Sequence, residues 1–161
     1  MIGALLLGLA GASLAPARTA TLPCGAGVFQ IASRGWPGTR APATQSMSVR
    51  VAGRRRPVAI EPTGTVTVDG HRVRNRFVSS WACVRGERGA HYVDLAYACA
   101  IDPGYPRDCG GEKEWFRLLD DRGRAVDAGV PHNGPARDRL NRRLALSDIF
   151  EAGVQMTDVL E

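Results

Sequence analysis

The chain has 161 residues, 44% of them hydrophobic, which is enough for one domain with a real core and too few for two. Its net charge is +5, from 21 basic and 16 acidic side chains. The longest uncharged apolar run, residues 2–14, falls short of the ~20 residues that a membrane-spanning helix needs.

That run has the length of a signal-peptide core. Ala15-Pro16-Ala17 follows it as the small-x-small pattern that a signal peptidase reads. The expectation is a leader over residues 1–17, cleaved before Arg18, and a periplasmic or secreted domain over 18–161. No Lys or Arg precedes the apolar run, so its positive region is only the terminal amine. A retained leader would act as an anchor instead. Cys24 follows Thr21-Leu22-Pro23, and proline at that place does not suit lipidation, so Cys24 is read as part of the domain.

The other cysteines are Cys83, Cys99 and Cys109. Four cysteines in an exported chain favour two disulfides. Zinc competes, but no pair has the close C-x₂₋₄-C spacing of structural zinc sites. Three connectivities exist, and the favoured one joins Cys24 to Cys83 and Cys99 to Cys109.

In chain order, residues 28–33 form a first strand candidate, and 34–42 a loop rich in Gly and Pro. Met47, Val49 and Val51 alternate with polar neighbours, the period of a strand with one buried face. Residues 53–57 are expected to break it and 58–61 to resume. Thr65 to Val68 and His71 to Arg74 flank Asp69-Gly70, a two-residue hairpin signal, with Val66, Val68 and Val73 facing inward. Residues 77–84 and 91–99 form a central pair. Phe77, Ser79, Trp81 and Cys83 are expected on one face of it, as are Val93, Leu95, Tyr97 and Cys99, with Asp94 opposite. Residues 114–119 and 124–128 suggest another hairpin around 120–123. Gly134-Pro135 starts a helix over 135–146, with Ala136, Leu140 and Leu144 on its apolar stripe, and Ser147 is placed to cap a further turn through 150–151. The fold class is mainly β: an antiparallel meander, sandwich or barrel of about eight short strands with one C-terminal amphipathic helix.

Catalytic signals are weak. His71, His91 and His132 show no metal-ligand spacing, and there is no G-x-S-x-G elbow. Ser79-Ser80 lie within a strand. His91 and Asp94, three apart on a strand, point to opposite faces. Glu112 and Glu114 read as a solvated strand entrance rather than a glycosidase pair. No cofactor or metal is expected.

Two features offer binding. Arg54-Arg55-Arg56 is a compact basic run in an expected loop, with Arg50, Arg72, Arg74 and Arg76 as neighbours across the sheet. Trp36 and Tyr105 sit in Gly/Pro-rich loops, where aromatics anchor interfaces or fold back over a core edge. Twenty of the 21 basic residues are arginine, which a GC-rich genome also produces. Residues 18–111 carry 13 Arg against 6 acidic groups, and 112–161 carry 8 basic against 10 acidic. Arginine forks onto carboxylate and phosphate, so the partner expected is a protein or an anionic envelope component. Export and the lack of an aromatic ladder speak against nucleic acid. The expected function is a non-catalytic envelope binding domain, an inhibitor or immunity protein for example. The alternative is a small periplasmic hydrolase with a histidine/carboxylate site.

Overall fold

A computed structural model describes residues 17–35, 42–61, 64–68, 71–98, 114–131, 134–146 and 156–158. Four strands, β1 (Ala17–Cys24), β2 (Gly27–Gly35), β3 (Pro42–Val51) and β4 (Arg54–Val58), lie side by side in that order. A hairpin follows, of β5 (Gly64–Val68) and β6 (His71–Asn75). The second sheet is β7 (Phe77–Arg85), β8 (His91–Ala98) and β9 (Glu114–Asp120). Helix α1 (Pro135–Arg143) follows, and a short β10 (Met156–Asp158) pairs with β7. The fold is mainly β, with seven antiparallel strands in two main sheets and one C-terminal helix, and the described strands close no barrel.

Alternation along the strands builds the core. Leu22, Phe29, Ile31, Met47 and Val49 line the inner face of the first sheet, and Trp81, Val93, Leu95, Tyr97, Trp115 and Leu119 that of the second. All belong to one buried cluster, so the two sheets face each other. Trp115 stacks on Tyr97, with ring centroids 5.8 Å apart. Cys24 and Cys83 form a disulfide between β1 and β7, the expected pair. Cys99 and Cys109 lie outside the described residues.

The central pair has one corrected detail. The register passes from Val78↔Tyr97 to Ser80↔Ala96, so Ser79 is a bulge, and its hydroxyl donates to the Ala96 carbonyl at 3.2 Å. An extra residue reverses the parity of what precedes it. Val78, not Phe77 or Ser79, therefore shares the inner face with Trp81 and Cys83. The β5–β6 strands pair as expected, with Val68 opposite His71. Their side chains and the turn at 69–70 lie outside the described residues.

The hairpin expected after β9 is cut short. Residues 124–128 form no strand, only a bridge between Leu119 and Ala125 and a Val126 N–H bond to the Leu118 carbonyl at 3.0 Å. The Asp127 carboxylate accepts the Leu118 N–H at 2.9 Å, a bond that a partner strand would otherwise take. In the turn before it, Gly123 has φ +79, and a Cβ there would lie 2.7 Å from Val58 Cγ2. Only glycine lets this turn close down on the first sheet.

Helix α1 starts after Gly134 with Pro135 at its head, as expected. It covers the outer face of the second sheet, where Ala82, Val84 and Leu118 meet Tyr92, Val126 and Leu144. Its buried residues are Leu140 and, unexpectedly, Arg137; Ala136 is only half-buried. The further turn placed at 147–151 lies outside the described residues. The layers are thus sheet, sheet and helix, and no described element packs on the outer face of the first sheet. Among the described residues no helix is long and apolar enough to cross a membrane.

A candidate anion-binding face on the first sheet

The Arg54–Arg56 run lies in an edge strand, not in a loop. Ala52 and Gly53 have φ values of 47° and 77°, the paired positive φ of a two-residue type I′ turn. The turn sets Val51 opposite Arg54, Arg50 opposite Arg55 and Val49 opposite Arg56. Gly53 therefore precedes a strand and Pro57 lies within it, and that strand ends at Val58, where one was expected to resume. Strand parity splits the run. Arg55 sits beside Arg50 on the outer face, while Arg54 and Arg56 lie at the rim of the inner face.

The rim is built from two directions. The Arg56 guanidinium donates to the Arg122 carbonyl at 2.8 Å, tying β4 to the turn after β9. Arg124 reaches Asp120 at 2.7 Å while remaining 72% exposed. Partial burial works against the Asp120 anion, but the Arg124 N–H and guanidinium and the Arg122 N–H together hold its carboxyl below the ordinary value. With Val51, five arginines (54, 55, 56, 122 and 124) line a groove of about 420 Å³. On the outer face, Arg55 donates to the Gln30 side chain beside a second groove of about 490 Å³ lined by Ala32, Ser46, Ser48 and Pro57 among others. Arg50 and Arg54 have no hydrogen-bond or acidic partner among the described residues.

The fold redraws the charge boundary. Seven arginines and no carboxylate side chain precede Glu61, while residues 61–161 carry 14 basic and 16 acidic groups. The whole first sheet is therefore free of acid. The boundary does not show over residues 18–111 taken together, because that span belongs to both sheets. The other neighbours named for the run are elsewhere: Arg76 lies 3.6 Å from Glu61, and the side chains of Arg72 and Arg74 lie outside the described residues, as do Trp36 and Tyr105.

No catalytic constellation assembles among the described residues. His91 approaches Asp121, both near Gly25, yet Asp121 accepts the Ala26 N–H at 3.0 Å and no bond joins it to His91. The His71 side chain, His132 and Glu112 lie outside the described residues. No described group of three or more His, Cys, Asp or Glu residues is placed to hold a metal.

The most buried charges form a structural lock that sequence reasoning missed. Arg137 donates to Asp127 at 2.7 Å and to Asp94 at 2.9 Å. Burial raises the Asp94 carboxyl to about 6 even though Arg137 opposes the shift. The signal was available: Arg137, Leu140 and Leu144 fall at i, i+3 and i+7 of one helix face. A second lock closes the far end of the core. The Tyr97 hydroxyl accepts the Glu61 N–H at 3.2 Å, burial pushes its pKa to about 12, and Arg117 lies 3.5 Å from Glu61.

No protein-family model matches this chain, and no curated protein or solved structure matches it at a significant level.

Proposed function

We propose that the protein is a non-catalytic binding domain of an oxidising, extracytoplasmic compartment that docks an acidic partner on its first sheet. The observation that carries this reading is the asymmetry of the two sheets. One is covered by α1 and carries paired charges. No described element covers the outer face of the other, and it holds arginines without a single acid. The Cys24–Cys83 disulfide supports the compartment, since such bonds persist where the surroundings oxidise. A GC-rich genome explains arginine in place of lysine but not the absence of Asp and Glu. Acids make up 16 of 161 residues, so a stretch as long as this sheet would ordinarily carry several.

A structural role competes for the β4 arginines, because charged side chains on an edge strand block sheet-to-sheet aggregation. That role needs only the edge and leaves Arg50 and Arg34 on β3 and β2 unexplained. The test compares capture from envelope extract by the purified protein and by an Arg50→Glu/Arg55→Glu variant of equal thermal stability. The expected result is an acidic component retained by the first, released by salt, and absent from the second. Identical capture by both would overturn the reading. An inhibitor or immunity protein is the second reading of such a domain, in which the acidic component captured would be a hydrolase.

A further inference from the structure

From the outer face of the first sheet we infer that the acidic partner is a linear polysaccharide bearing carboxylates, of the uronate type, seated across β2, β3 and β4. This rests on the reading of that sheet as the binding face and adds the class of partner. The registers place side chains in rows across the strands. Thr21, Gln30, Ser48 and Pro57 form one row, and Val28, Arg50 and Arg55 lie in the next. Adjacent strands are about 4.8 Å apart, close to the length of one pyranose unit in an extended chain. A polysaccharide running across the strands therefore meets the Gln30 amide on β2, the Ser48 hydroxyl on β3 and the Pro57 ring on β4, with the Arg50 and Arg55 guanidinium groups in the neighbouring row for its carboxylates.

What the face lacks narrows the choice further. Protein interfaces centre on Trp, Tyr or Arg side chains packed into closed pockets; no described side chain on this outer face is aromatic, and Arg50 and Arg55 line an open face instead. A neutral glycan would call for a stacking platform, which is missing for the same reason. Short side chains at Ala32, Ser46, Ser48 and Pro57 open the groove of about 490 Å³, and Arg55 is held at its wall by Gln30. One guanidinium donor is used in that bond, and the fork keeps others for a carboxylate. The edge of β4 offers no competing strand-addition site of any length. In the register set by the turn, the outward backbone positions are Arg55 and Pro57, and proline has no N–H to donate.

The experiment is calorimetric titration of the purified protein with polygalacturonate, dextran, poly-L-glutamate and vesicles containing phosphatidylglycerol. The variants are Arg50→Gln/Arg55→Gln, Ser48→Tyr, and Arg142→Gln/Arg143→Gln on the exposed side of α1, each checked for unchanged melting temperature. The expected result is saturable binding of polygalacturonate and none of dextran. Loss of the sheet arginines should weaken it about tenfold or more. Ser48→Tyr fills the groove without changing charge and should weaken it by about tenfold as well, while the helix variant should bind like the wild type. If Ser48→Tyr or the sheet-arginine variant binds unchanged, or the helix variant loses as much, the inference fails. Binding of poly-L-glutamate or vesicles through Arg50 and Arg55, with none of polygalacturonate, would overturn the polysaccharide and leave the binding face standing. No binding to any polyanion would overturn both.

Discussion

At the scale of single residues, the decisive group is Arg137, 6% exposed and held by Asp127 and Asp94. Asp127 is the better placed partner. It is 2% exposed and also accepts the Leu118 N–H. Asp127→Ala removes both bonds and leaves the arginine half-compensated, so unfolding free energy should fall by about 3–5 kcal/mol in urea titration. Asp94 behaves differently. Its folded pKa is raised from 3.8 to about 6, so the folded state prefers the protonated form. Its contribution is greatest below pH 4, declines as pH rises from about 4 to 6, and above that is a constant penalty of about 3 kcal/mol. Asp94→Asn keeps an acceptor for Arg137 without the charge. The difference in stability between variant and wild type should favour the variant at pH 7.5 and shrink or reverse at pH 4.5. A flat difference across that window would show that Asp94 ionises freely in the fold. The position of Asp94 on the face opposite Leu95 was legible from strand alternation. Its partners were not, because the three charges come from a strand, a loop and a helix whose meeting no local pattern encodes.

At the scale of elements, the strands with clean alternation were read correctly, the terminal strands β1 (Ala17–Cys24) and β10 (Met156–Asp158) were not expected at all, and three further errors fall where one residue changes the geometry. Ser79 bulges and reverses the parity of β7. Asp127 substitutes a side chain for a strand partner and stops a hairpin. Ala52-Gly53 makes a type I′ turn without the Asn or Asp that usually signals one, so Gly53 and Pro57 read as a loop. The cost of that choice is measurable. Alanine in the left-handed region carries about 1–2 kcal/mol of strain, and asparagine tolerates that conformation better. Ala52→Asn should therefore raise stability by several tenths of a kcal/mol to about 1, with the edge strand and its arginines unmoved. A destabilised variant would mean that the turn is not of this type. The candidate site was thus half-legible: the arginine run was visible, but its division between an outer face and a rim depends on a turn that the sequence disguises.

At the scale of the molecule, the two sheets differ in charge and are held together by an apolar core and one covalent link. The core residues were largely legible, because alternation marks them. The acid-free character of the first sheet was printed in the sequence as well, but only the strand order shows where its boundary falls. The covalent link decides how the sheets part. Cys24 and Cys83 are 59 residues apart, and their bond spans β1 and β7 rather than neighbouring strands. Closing a loop of that length restricts the unfolded chain by about 4 kcal/mol on the entropic account. A Cys24→Ala/Cys83→Ala variant loses this but keeps the pairing within each sheet and the cluster around Phe29, Trp81 and Leu95. It should remain folded, with a lower melting temperature and a reduced urea midpoint. The slope of the urea transition should rise, since an uncrosslinked chain exposes more surface when it unfolds. A midpoint unchanged from the wild type, measured with and without reductant, would show that the core alone holds the sheets together. In that case the disulfide would no longer support an oxidising compartment through its effect on stability.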